Sequence, residues 1–425
     1  MRRAALLAAL LLLPACGSRL PAPPPSSTGT AELRIGLLTS LTSPVGSETF
    51  SGPHYGAEAF FRTLDEHGGL HGRTVRLFTC DDGGSGAGNQ ECVHQLIDRD
   101  RVLALVATSV LDYAGAPYVS AQGVPDVGGQ PIGTAYDRWP HLYGIYGSHA
   151  PRDGHSVGWD GTLYQSTEVY RFFRERLKAT SAAVVAYNQA DSARYAGQLA
   201  QGLRAEGFRV LTQTVDFALP GFPAVAAALK ADGTELVLDA MDTRGNVALC
   251  QALDAAGVRL TAKVTNVQNW SETVRDDYRT APGCRSVLWA TSASRNYADT
   301  AQPAVREFRA AMARWYPDRE NRLSAWELEG WAAARWLADA LASCPEDPTR
   351  ACVERFLNRP DPYDAHGLLL PASFTPQPRP AGLTRSCLNA ARWQDGAAGG
   401  RGGWVTEVPD LTTTCFDVPQ LPYRP

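Results

Sequence analysis

From residue 33 onward, short apolar runs alternate with Gly/Ser/Asp loops and with stretches whose apolar residues recur at helical spacing. Residues 33–38 predict a buried strand and 39–47 a Ser/Thr/Pro/Gly loop. Residues 51–67 predict a helix, with Tyr55, Ala59, Phe60, Phe61 and Leu64 on one face, stopped by Gly68-Gly69. Strands follow at 75–79, 102–107, 124–127 and 142–146, with helices near 90–98 and 114–122. The alternation restarts after residue 160. It predicts helices at 162–178, 193–206, 222–231 and 247–256, and strands at 182–187, 210–217, 235–241, 262–267 and 286–290. Helices at 302–316 and 324–342 come next. The tail from about 349 reads as one helix, then irregular chain with two late strands near 387–393 and 403–408.

Repeated strand–helix units imply parallel sheets covered by helices on both faces, and two such runs predict an α/β protein of two doubly wound lobes. In that architecture ligands bind beyond the carboxyl ends of the strands. The loops at 39–47, 107–112, 127–131, 188–195, 241–245 and 267–270 are therefore the candidate site. Length agrees, since 425 residues suggest two or three domains at about 100–200 residues each. Hydrophobic residues at 44% and charged residues at 20% allow real cores. A net charge of −4 argues against a nucleic-acid surface. Only three of the 40 basic residues are Lys, a bias we read as codon usage. No internal run reaches the roughly 18 apolar residues of a membrane span, which excludes a channel or polytopic transporter.

The first residues form a sorting signal: Arg2 and Arg3, then the short apolar run 4–13. It ends in Leu13-Pro14-Ala15-Cys16-Gly17, which resembles the bacterial lipobox. That resemblance implies removal of residues 1–15, lipidation of Cys16 and anchoring to the bacterial cell membrane from outside. The alternative is an ordinary signal peptide with an incidental Cys. Residues 16–32 then read as a lipidated Cys and a Pro/Ser/Thr tether with a reach of at most about 50 Å. Nine Cys minus Cys16 leaves eight, an even number that in an exported protein suggests up to four disulfides. The simplest pairing is local: Cys80–Cys92, Cys250–Cys284, Cys344–Cys352 and Cys387–Cys415. Eight Cys allow 105 connectivities, so the pairing stays open. No CxxC spacing suggests zinc or a redox motif.

The segment LRIGLLTSLTSPVGSETFSGPHYGAEAFFRTLDEHGGLHGRTVRLFTCDD resembles the opening of the branched-chain amino-acid (Leu/Ile/Val-binding) type of periplasmic binding protein, the type I solute-binding fold. The order continues in QLIDRDRVLALVATS, GVPDVGG, AVVAYNQADSARYAGQLAQGLRAEGFRV and FPAVAAALKADGTELVLDAM, so that the resemblance covers roughly 33–345. It implies three crossings between lobes, placed near 150–158, 284–292 and 345–370. One lobe would combine 33–150 with 290–350, the other 155–285 with 360–425.

The resemblance also implies site residues, each with a plainer alternative. Thr108 and Ser109 follow the third strand and, opening a helix, would offer hydroxyls and N–H groups to a carboxylate; a simple helix cap is the alternative. Gly128 and Gly129, with Gln130, follow the fourth strand and would let backbone approach a ligand, or form a turn. Tyr195 matches a position where the family sets a Tyr against the ligand; a core or surface Tyr is the alternative. Amino-acid binders place an acid near Asp242 or Gln268 to take the ammonium. Here only Asp242 is charged, which weakens the case for an α-amino acid. Trp270 walls the cleft or lies on an outer helix.

No G-x-S-x-G elbow or H-E-x-x-H motif supports a hydrolase, and the Gly83–Gly88 run lacks the Lys of a phosphate loop. His67 and His71 are separated by the helix-breaking Gly68-Gly69, so no metal site is expected, nor a cofactor. The expected function is a monomeric, lipid-anchored, non-enzymatic receptor that captures a small polar molecule (an amino acid, amide or carboxylate) and delivers it to the permease subunits of an ABC importer. A ligand sensor serving a signalling partner is the alternative.

Overall fold

The computed structural model describes residues 32–43, 48–408 and 410–425. Cys16, the signal and most of the tether lie outside the described residues, as do positions 44–47 of the first loop. Strands Leu33–Thr39 (β1), Val75–Asp81 (β2), Ala104–Val106 (β3), Asp126–Gly129 (β4) and Leu142–Gly144 (β5) form a parallel sheet in the order β2-β1-β3-β4-β5. A short strand, Leu163–Ser166 (β6), follows. Ser181–Tyr187 (β7), Arg209–Val215 (β8), Leu236–Ala240 (β9), Ala262–Thr265 (β10) and Leu288–Ser292 (β11) then build a second sheet in the same winding order, β8-β7-β9-β10-β11. Four late strands are Leu383–Cys387 (β12), Asn389–Gln394 (β13), Gly403–Thr406 (β14) and Cys415–Tyr423 (β15). Of these, β13 pairs antiparallel with β11, and β14 pairs with β13, extending the second sheet.

The central strands of each sheet are buried on both faces, which explains their unbroken apolar runs, while the edge strands β2 and β8 intersperse polar residues. Leu33, Ile35 and Leu37 of β1 join one core cluster and Leu38 another. In β9, Leu236 and Leu238 pack towards helix Ala190–Ala205, while Val237 faces the cluster that includes helix Thr243–Ala256. The winding order reverses between β1 and β3 and between β7 and β9, the switch points beyond whose carboxyl ends sheets of this kind bind ligands.

The chain returns from β11 to cover the first sheet. Helix Ala325–Ala342 crosses helix Glu48–Glu66 with backbones in contact. A Cβ on Gly56 would lie 1.9 Å from the Glu327 carbonyl oxygen, and one on Gly330 would lie 2.1 Å from that of Pro53. The capping box of Ser324 and Glu327 starts that helix.

The structure corrects one element and adds two. Residues 162–178, expected as a single helix, are β6 followed by helix Glu168–Leu177, because β15 pairs antiparallel with β6. The tail carries β12 and β15 besides the two expected strands. These two pair with each other and place Cys387 opposite Cys415. All four local disulfides are formed: Cys80–Cys92, Cys250–Cys284, Cys344–Cys352 and Cys387–Cys415. Among the described residues no helix is long and apolar enough to cross a membrane.

Candidate functional site

A cavity of about 1150 Å³ opens between the carboxyl end of the second sheet and the helices of the first. One wall carries Tyr187, Asp242, Arg244 and Gln268, and the other carries Gly52, Arg319, Ser324 and Trp326. Asp242 caps helix Thr243–Ala256. Its Oδ1 accepts the Gly245 N–H at 2.9 Å and the Tyr187 hydroxyl at 2.8 Å. A Cβ at position 245 would lie 2.1 Å from that hydroxyl, so Gly245 lets the two walls of the loop meet. The Tyr187 phenol is pushed up by burial and by the Asp242 carboxylate.

Beneath this loop lies a wholly buried charge network. The Lys263 ammonium pairs with Asp239 and donates to Asn246 Oδ1 at 2.7 Å. Asp239 in turn accepts from the Met241 N–H and, at 2.7 Å, from Asn246 Nδ2. The same Nδ2 reaches the carbonyl oxygens of Met241 and Asp242. Loop 239–246 is thereby held from below, and Asp242 with it. Gln268 sits in the turn Val267–Asn269, half-buried on the cavity wall. On the opposite wall, Arg319 donates at 2.8 Å to buried Glu327, whose carboxyl burial pushes up to about 7 against the pull of that guanidinium.

The first-sheet residues are placed differently from expectation. Thr108 and Ser109 open no helix; the next one begins at Ala116. The chain there stays extended beside β1, with the Ser109 N–H on the Leu38 carbonyl and the Ser40 N–H on the Ser109 carbonyl. Thr108 donates its hydroxyl to Asp126 at 2.9 Å, and Tyr113 and Tyr136 donate to the other carboxylate oxygen. Burial pushes Asp126 up to about 6 despite these three donors. Ser109 Oγ is buried without a hydrogen-bond partner. Gly128 and Gly129 lie inside β4, not after it. What approaches them closely is protein: a Cβ would lie 2.3 Å from Ala333 Cβ and 1.7 Å from the Tyr136 hydroxyl, respectively. None of these four residues lines the large cavity. Trp270 is fully buried against Trp404, neither on the cleft wall nor on an outer helix.

Tyr195 lies in a second cavity of about 370 Å³, apart from Asp242 and Gln268. Its helix, Ala190–Ala205, covers one face of the second sheet, and the helix that Asp242 caps covers the other. Tyr195 is 41% exposed overall; desolvation of its phenol within the cavity and the nearby Asp239 carboxylate push that group up to about 12. Sequence reasoning also missed Glu329. Fully buried on helix Ala325–Ala342, it accepts from Gln130 (2.9 Å), Tyr146 (2.9 Å), Ser292 (3.2 Å) and Ser294 (2.7 Å). That carboxylate ties the exit of the first sheet to the exit of β11. An acid in the middle of an Ala/Trp/Leu-rich helix was the available signal.

Residues 32–399 match the family model described as periplasmic binding protein. No curated protein sequence matches the chain. Among solved structures, an extracellular ligand-binding receptor from Verminephrobacter eiseniae is 20% identical, with a TM-score of 0.65 over 85% of this chain and 98% of its own. A branched-chain amino acid transporter substrate-binding protein from Streptococcus pneumoniae, in complex with isoleucine, is 14% identical, with a TM-score of 0.66 over 88% and 100%. A solute-binding protein from R. palustris in complex with benzoate is 14% identical, with a TM-score of 0.65 over 92% and 98%. These likenesses establish the shared fold, and the matched model covers most of the sequence: the chain belongs to the periplasmic binding protein family, in its type I, two-lobed form.

Proposed function

We propose that this protein is the extracytoplasmic receptor of an ABC importer, capturing a small solute between two lobes and presenting it to the permease subunits. The cavity of about 1150 Å³ carries this reading, because groups from both sheets' neighbourhoods face each other across it. Asp242 and Gln268 would hold the solute from the second sheet's side. Ser109, Thr108, Gly128 and Gly129 would support the first sheet's edge of the cleft, and Tyr195 the hinge end. The lobes would be 33–150 with 290–350 and 155–285 with 360–425. Helix Ala325–Ala342 packing on the first sheet and β13 joining the second support that division. Closure would bend the segments near the Glu329 cluster. A lipid on Cys16 would hold the body at the cell membrane.

A thermal-shift screen of amino acids, amides, small acids and aromatic compounds tests the reading. A solute at 100 times its Kd adds about 2.7 kcal/mol to stability. Failure of every solute class to raise the melting temperature would refute capture in the cleft.

A further inference from the structure

The second cavity is chemically unlike the first. Its walls include Tyr146, Tyr170, Tyr195, Leu199, Leu238 and Val264, beside β9, β10 and β11 of the second sheet. At about 370 Å³ it has room for a single ring or a branched alkyl group. Among the described residues no Lys or Arg lines it. Its one ionisable carboxylate, Asp239, already pairs with Lys263 and accepts from Asn246 and the Met241 N–H. Behind Tyr146 and Ser292, Glu329 already accepts four hydrogen bonds. An anion entering here would meet buried carboxylates and no cation. An ammonium would find every carboxylate oxygen already engaged, at the cost of losing its own water.

Hydroxyl groups, by contrast, are to spare. Tyr170 is 6% exposed and its ring lines the cavity. Tyr195 is 41% exposed and lines the cavity beside it. Thr265, another lining residue, has a buried hydroxyl without a partner. The buried Thr265 hydroxyl is costly to leave unpaired, and a ligand oxygen or amide would satisfy it, with the two phenols open to the same space.

We infer that this cavity receives the body of the solute, and that this body is uncharged: a small aromatic or branched aliphatic compound whose hydroxyl, carbonyl or amide meets Tyr170 and Tyr195. The inference rests on the receptor function proposed above and narrows its substrate class away from free α-amino acids and carboxylates.

Calorimetry on the full mature chain, with matched probes, tests it. Benzyl alcohol, benzamide and isovaleramide are the neutral set; benzoate, L-phenylalanine and L-leucine are their charged counterparts. The neutral set should bind at least tenfold more tightly. Tyr195→Phe and Tyr170→Phe should each weaken that binding about tenfold, and Leu199→Trp, which fills the cavity, should abolish it. The Tyr→Phe variants carry the test if Leu199→Trp melts early. Equal or tighter binding of the charged set, or neutral binding indifferent to both Tyr→Phe changes, overturns the inference, as does absence of neutral binding. If the charged set alone binds, and Gln268→Ala removes that binding, the receptor reading stands without this narrowing. If neither set binds and no other solute class does so in the thermal-shift screen, both fall.

Discussion

Lys263 and Asp239 form an ion pair in which neither side chain is exposed, directly beneath the loop that presents Asp242 to the cleft. Two adjacent parallel strands supply the partners, and Asn246 completes the network from the first turns of the helix above. Removing the lysine leaves a buried carboxylate uncompensated. Lys263→Met should therefore cost about 3–5 kcal/mol, measured by urea unfolding. Replacing Asp239 by Asn in the same chain should restore part of that loss. A Lys263→Met protein as stable as the parent would show that the pair does not hold the loop.

Asp126 gives a pH dependence with a definite sign. Burial raises its folded pKa to about 6 from an unfolded value of 3.8. Between those values the folded state holds the proton more firmly, so this group's contribution to stability falls as pH rises from about 4 through 6. A shift of about two units corresponds to roughly 3 kcal/mol. Asp126→Asn should flatten the stability–pH curve in that window. Identical pH slopes for the two proteins would refute the assignment.

Gln268 lines the cleft from a short turn, where it is half-buried. Gln268→Ala should lower solute affinity about tenfold, by loss of a hydrogen bond in a closed site, and leave the melting temperature within a degree or so. Asp242→Asn keeps a good helix cap while deleting the charge. A zwitterionic solute should lose most from Asp242→Asn, and a neutral one should be little affected by it. Titration calorimetry of both variants separates these outcomes.

Cys16→Ser should release the protein from membranes into the soluble fraction, since the apolar run before it is too short for a stable span. Retention of the variant after a salt wash would refute lipid anchoring.

Gly56 and Gly330 illustrate what could not be read before the fold was known. Both sit in helices that sequence periodicity locates well, where glycine merely weakens a helix. Their need appears only when Glu48–Glu66 crosses Ala325–Ala342, elements separated by more than 250 residues, with carbonyl oxygens about 2 Å from each missing Cβ. The site shows the same division. That Asp242 and Gln268 line the cavity was legible because their loops follow apolar strands, and such loops gather at one end of a parallel sheet. Thr108 was legible as a post-strand hydroxyl, but Asp126, 18 residues on, accepts its hydrogen bond.

The sequence by itself determined the alternation of strand and helix, hence two parallel sheets, and an even set of exported cysteines close enough in the chain to pair locally. These follow from periodicity and short-range chain closure, which act between near neighbours. Only the tertiary structure decided that β6 is a strand, that Tyr195 and Asp242 occupy different cavities, and that Glu329 ties the two exits together. Those outcomes depend on partners distant in sequence: β15 alongside β6, opposite faces of one sheet, and four donors converging on a buried carboxylate.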